Sequence, residues 1–329
     1  MNFKEPLATT VACLLLWPAI AMAQQPPDAQ SRYMPTGPAP EEGYQPYDIA
    51  VRERGQKVIA NVPGYLWRHG CGPTAAGMVV GYWDGQEMPL LMPGAAGTQT
   101  NAVDQAIATG DGANTHYSDY SLPIDDPIDG QGNDTGLLLD LSEPPPGDEH
   151  ASDSLADFME TSWSSRDNYY GWSWFSDVDN SLLGYVGYAN ATYSANYQAS
   201  SWNEQWGAFT WAKFCTEINA DRPMVFLVDS DGDGYTDHFV TAIGWRDTQG
   251  FNEYACFDTW APGGNVRWER FREMSNNYDW GIYGATYFVP TISPIPTVSE
   301  WGLIVMTLLL LTVGKIVFYR KRGREAAVA

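Results

Sequence analysis

From Cys71 onward the apolar residues of CGPTAAGMVVGYW recur at helical spacing. Ala75, Met78, Val79 and Tyr82 fall at i, i+3, i+4 and i+7, which predicts a helix with a buried face. Pro73 suits its first turn, where the missing N–H is no loss. A second helical stretch, TWAKFCTEIN, carries Cys215. Later runs have strand character. Met224–Val228 is one; HFVTAIGW, opened by His238, is another, and it turns through Arg246–Gly250 into a third, Glu253–Phe257, which ends on Asp258.

The pattern changes at both ends. Leu7–Ile20 is an apolar run of signal-peptide length, followed by the small residues of Ala21-Met22-Ala23, so residues 1–23 read as a secretory signal. Residues 24–46, QQPPDAQSRYMPTGPAPEEGYQP, lack periodicity and read as an extended Pro/Gln-rich linker. One domain is expected over 47–290, interrupted at 122–153 by an acidic, Pro- and Gly-rich excursion. In the C-terminal segment, 291–329, an apolar stretch over 301–319 is expected to form a membrane-spanning helix, with the basic cluster Arg320, Lys321, Arg322 and Arg324 on its cytoplasmic side.

Charge narrows the partners. The chain carries 18 Lys and Arg against 40 Asp and Glu, a net charge of −22. Lys4 and Glu5 belong to the signal, and five basic and two acidic residues lie from Glu300 onward. Between them stand 12 basic and 37 acidic residues, a net charge of −25. Such a surface repels nucleic acid and suits divalent cations. A nucleic-acid partner is excluded on this ground.

The chemistry centres on Cys71, placed between Gly70 and Gly72 at the predicted helix start. A helix N-terminus favours an anion, so a thiol there is expected to have a lowered pKa and to serve as a nucleophile. A disulfide or buried structural thiol is the alternative. The chain has four histidines. His238, two short strands from Asp258, can meet a carboxylate and a thiol in a nucleophile–base–orienter arrangement. His69 lies too close to Cys71 in sequence to reach both partners, His116 sits in a loop, and His150 lies in the acidic excursion.

CGPTAA at a helix start, then HFVTAIGW, then FDTW, resembles the C39-like branch of the papain-like cysteine peptidases, over roughly Val62 to Tyr287. The resemblance implies an α+β papain-like fold, in which the helix bearing the Cys packs on an antiparallel sheet bearing His and Asp. It also implies roles: Cys71 as nucleophile, His238 as base and acid, Asp258 as the residue that orients the imidazole, and a peptide or protein as substrate. That family has a Gln about six residues before the Cys as an oxyanion donor. Here Tyr65 and Trp67 occupy that region, and the nearest preceding Gln is Gln56. Either Gln56 reaches in, or the Cys71 N–H and another donor serve. Farther on, IPTVSEWG at 295–302, an apolar run and a basic tail resemble the IPTL-type sorting signal, related to those handled by exosortases. This implies signal peptidase and an exosortase-like sorting enzyme as partners, with the protein anchored in the cell envelope or released after sorting.

DSDGDGYTD directly precedes His238. Alternating carboxylates at Asp229, Asp231 and Asp233, with the Tyr235 carbonyl and Asp237, form the first half of a loop suited to a hard cation, so a structural calcium ion is expected; no organic cofactor is. Cys13 leaves with the signal. Of the others, Cys215 and Cys256 fit either a disulfide or two buried thiols. The aromatic-rich stretch Trp163–Phe214 reads as core and groove lining before sugar binding. The reading is an exported cysteine peptidase, with a peptidoglycan amidase or endopeptidase of the same chemistry, or a non-catalytic calcium-binding surface module, as the rivals.

Overall fold

The computed structural model describes residues 53–86, 88–108, 152–161, 171–248, 250–261, 265–292 and 298–325. The signal, the linker, nearly all of the acidic excursion, His116 and His150 lie outside these residues. Seven strands form one antiparallel sheet: β1 (Glu53–Val58), β2 (Tyr197–Gln205), β3 (Met224–Asp229), β4 (His238–Thr248), β5 (Asn252–Phe257), β6 (Arg267–Arg270) and β7 (Gly281–Ile292). Their order is β2-β7-β3-β4-β5-β6. Beside β4, β3 covers the first half, ending at Met224 opposite Ala242. The next half is taken over by β1, with Val58 opposite Gly244. Burial follows this order. Central β3, MVFLVD, is buried at every position, as an uninterrupted apolar run requires. On the edge, β2 alternates half-buried and exposed residues along most of its length.

The helices are α1 (Cys71–Asp84), α2 (Asn101–Ala108), α3 (Leu155–Phe158), α4 (Phe175–Thr192), α5 (Trp211–Asn219) and α6 (Val298–Glu325). Periodicity predicts one buried face for α1, yet every residue from Cys71 to Tyr82 is buried. Small residues explain the difference. A Cβ on Gly77 would stand 2.7 Å from Ile107, so α2 sits against α1 only because none is there. The other side of α1 packs on β4 and β3. The nucleophile candidate thus sits at the tip of a helix that the fold surrounds. Trp172, Trp174, Tyr185, Phe209 and Phe214 of the aromatic stretch are core residues.

The expected membrane-spanning segment finds no support in the described residues. Among the described residues no helix is long and apolar enough to cross a membrane. The uncharged part of α6, Trp301–Gly314, is fourteen residues. Lys315 ends that stretch, and the helix continues into Arg320–Arg324.

Candidate active site

The segment before α1 is tied down on three sides. Trp67 N–H donates to the Thr259 carbonyl at 2.8 Å, which joins it to the residue after Asp258. Gln99 brackets Leu66, accepting from its N–H at 2.6 Å and donating to its carbonyl at 2.7 Å. Arg68 pairs with Asp104 at 3.0 Å. The chain then turns sharply through His69 (φ 50°) and Gly70 (φ 122°). Gly70 is required: its φ disfavours any side chain, and a Cβ would lie 2.6 Å from the Gly171 carbonyl oxygen. Thr74 Oγ closes the turn, accepting from Arg68 N–H at 2.8 Å and donating to the Gly70 carbonyl at 2.7 Å. Cys71 emerges as the first residue of α1.

Its sulfur lies 3.2 Å from the N–H of Phe239, the residue after His238. His238 opens β4, and its Nε2 is 2.7 Å from the backbone carbonyl oxygen of Asp258. A carbonyl can only accept, so Nε2 carries the proton and Nδ1 the lone pair. Nδ1 is buried without a hydrogen-bond partner. Trp260 stacks on the imidazole, with centroids 3.8 Å apart and planes at 18°, and Trp280 meets it edge-on at 5.9 Å. The start of α1 thus meets the start of β4 at Phe239, and the start of β4 meets the residue after β5 through His238 and the Asp258 carbonyl.

The electrostatics differ from the expectation. Cys71 and His238 are almost wholly excluded from solvent. Burial pushes the Cys71 thiol up to about 12, outweighing the N–H groups of Phe239, Gly72 and Cys71 itself, which favour the thiolate. The helix N-terminus acts in the expected direction and loses to desolvation. Burial likewise lowers His238 to about 3. Both groups are therefore neutral at pH 7.

Asp258 also differs from the expectation. Its backbone carbonyl meets the imidazole, while its carboxylate accepts from the N–H groups of Trp260 and Ala261, each at 3.1 Å, and from Arg267 Nε at 3.3 Å. Gln56 is not an oxyanion donor: it pairs with Arg246 on β1, eight residues along β4 from His238, roughly 25 Å away. His69 points elsewhere, its Nδ1 3.1 Å from the Ala108 carbonyl oxygen. Cys215 and Cys256 are both free thiols, which corrects the disulfide. On α5, Cys215 feels Asp247 at the far end of β4, whereas Cys256 on β5 feels Asp258 and Glu269.

Sequence reasoning missed the aromatic enclosure of His238 and the role of Arg267. The Trp of FDTW was in view as a motif residue, but its stacking depends on a turn (Thr259, φ 64°) that no periodicity reveals. Equally hidden were the segments beside the nucleophile. Met159 Cε and Ser173 Oγ lie 2.9 and 3.2 Å from where a Gly72 Cβ would be, and Thr161 and Ser173 hydroxyls are 2.6 Å apart.

The acidic turn between β3 and β4 is held by its own carboxylates. Asp229 accepts from Gly232 and Gly234 N–H at 2.7 and 2.8 Å, and Asp233 from Tyr235 N–H at 2.9 Å. One ligand oxygen each from Asp229, Asp231 and Asp233 fall within 4.8 Å of one another. Asp237 lies outside this group: it binds Ser230 N–H and Oγ, both at 2.6 Å, and closes the turn instead.

No curated protein matches the chain. The IPTL-CTERM motif matches residues 293–314 and supports export and association with the cell envelope. The sequence model of the Peptidase_C39-like family matches residues 59–287, more than half of the chain, from just after β1 to the middle of β7, and the protein belongs to that family.

Proposed function

We propose that this protein is an exported, envelope-associated cysteine peptidase that works through Cys71 and His238, with Asp258 as the positioning residue. One observation carries the reading: a buried cysteine at a helix tip has its sulfur 3.2 Å from the N–H of Phe239, the residue next to His238, whose imidazole has a fixed Nε2 and a buried Nδ1 without a hydrogen-bond partner. Both groups rest neutral, so the proton moves during attack. As Sγ bonds to the scissile carbonyl carbon, His238 Nδ1 takes the thiol proton, and the imidazolium returns it to the leaving amine. Water, deprotonated by Nδ1, then releases the acyl group. The Cys71 backbone N–H at the start of α1 is the natural donor to the oxyanion. The buried sulfur requires the segments at Met159–Thr161 and Gly171–Ser173 to yield as a peptide enters.

Adduct mapping with the epoxide E-64 tests this. The account expects label on Cys71, none on Cys215 or Cys256, and loss of label in His238→Ala. A reagent-inert Cys71 in protein that folds would instead favour a binding module. Casein set against cell walls as zymogram substrates separates a peptidase from a wall amidase.

The acidic turn is proposed to hold a structural calcium ion. Carboxylate oxygens within 4.8 Å of one another match the spread of ligands around one ion at 2.3–2.6 Å, and Asp233 Oδ2 is buried without a partner. Asp229, Asp231 and Asp233 would be the ligands, steadying the turn from which β4 and His238 emerge. Millimolar calcium is expected to raise Tm by several degrees over chelator-treated protein, and Asp231→Asn to abolish that rise. An unchanged Tm would rule the ion out.

A further inference from the structure

Beyond His238 lies a cavity of about 440 Å³, lined by Glu253, Arg267, Trp268, Glu269, Arg270, Arg272, Asp279 and Trp280. It adjoins the active site through two side chains. Trp280 is edge-on to His238 at 5.9 Å, and the Arg267 guanidinium lies over the Trp280 ring at 3.9 Å. Trp280 is itself part of the cavity wall, so the wall begins 5.9 Å from the imidazole and continues past Arg267, within the reach of two or three residues of extended peptide.

The charges in this wall are unequally matched. Glu253 pairs with Arg246 at 2.5 Å. Glu269 pairs with Arg267 at 2.6 Å, and Arg267 also reaches Asp258. Among the described residues Arg270 and Arg272 make no ion pair within 4.0 Å, although the Arg272 charge is felt by Glu269. Arg270 lies over Phe251 at 4.1 Å. Arg272 is held over Tyr278 at 4.4 Å and donates one N–H to the Asp279 carbonyl at 2.9 Å, but its Nε is shielded from solvent without a partner. A shielded guanidinium N–H left without an acceptor is costly unless a ligand supplies one. In a chain with net charge −22, this wall balances three arginines against three carboxylates, and one of those, Glu253, is taken up by Arg246 from outside the wall.

We infer that this cavity is a carboxylate-recognition subsite, in which Arg272, assisted by Arg270, binds an acidic group of the peptide substrate two or three residues from the scissile bond. The inference rests on the peptidase reading above and gives it a substrate class. Planar guanidinium donors suit a carboxylate in two-point contact, and the volume suits one side chain or chain terminus. Asp279 at the rim and the matched Glu253 and Glu269 disfavour a bare anion such as phosphate, which brings more charge.

The test uses the full chain carrying Cys71→Ala, so that peptides bind without turnover. Two peptide pairs are titrated by calorimetry: Glu against Gln at a position two or three residues from the expected cleavage point, and a free C-terminal acid against its amide. The inference expects at least tenfold tighter binding of the acid in one pair, and that pair identifies the source of the carboxylate. Added Arg272→Gln should collapse the ratio to about one, and Arg272→Lys should retain part of it. Equal affinities within both pairs, or a preference that survives Arg272→Gln in a protein of unchanged Tm, overturn the inference. Turnover by the unmodified chain is scored separately: selective binding without hydrolysis would refute the peptidase reading and leave the subsite standing.

Discussion

At the scale of the residue, the site is defined by what burial does to two titratable groups and by which atom of Asp258 faces the ring. His238 is lowered from an ordinary value near 6.5 to about 3 by desolvation. An unfolded chain therefore takes up a proton that the folded one refuses. The stability this confers is complete above about pH 6.5 and lost as pH falls toward 3. Denaturant titrations of the wild type and His238→Gln between pH 7 and 4 should show the wild type losing more stability, by up to about 1.4 kcal/mol per pH unit. Parallel curves would show that this imidazole is not buried neutral. A second prediction concerns Asp258, whose carbonyl, not its carboxylate, meets Nε2 at 2.7 Å. Asp258→Asn keeps that carbonyl and should lower kcat by less than about tenfold, far from the ~10⁴ seen where a triad carboxylate directly holds the ring. A loss of that larger size would assign the carboxylate a direct part.

At the scale of the element, two turns place the chemistry. The one before α1 depends on Gly70, whose φ of 122° and closeness to the Gly171 carbonyl leave no room for a methyl group. Gly70→Ala should cost about 2 kcal/mol or more, a drop in Tm of roughly 4–8 °C, measurable by calorimetry. An unchanged Tm would mean that the turn is not as tight as described. These turns also mark what could be read in advance. Helix α1 and strands β3, β4 and β5 follow from apolar periodicity, because spacing encodes which face is buried. The closeness of His238 to Asp258 follows from strand order and a short turn. The depressed thiol was the wrong inference, since helix-end electrostatics is local, whereas desolvation by β4 and the Gly171–Ser173 segment is set by tertiary packing. The same reason hid Arg267, nine residues beyond Asp258 yet 3.3 Å from its carboxylate. Gln56 failed because closeness in sequence is not closeness along a sheet.

At the scale of the whole molecule, a strongly acidic chain surrounds a neutral, buried cysteine–histidine pair and sets arginines on one wall beside it. An acidic surface discourages acidic peptides in general, so the arginine-lined cavity would concentrate their recognition at one entrance. The family match and the sorting motif put this machinery on an exported protein of the envelope, with a protein substrate as the family implies. The most direct measurement is kcat/KM for an internally quenched peptide with the full chain and with Cys71→Ala, both shown to melt at the same temperature. The account predicts hydrolysis by the wild type and a loss of at least about 10³-fold on removing the sulfur. Equal rates in the two proteins, or no hydrolysis by the wild type, would contradict it.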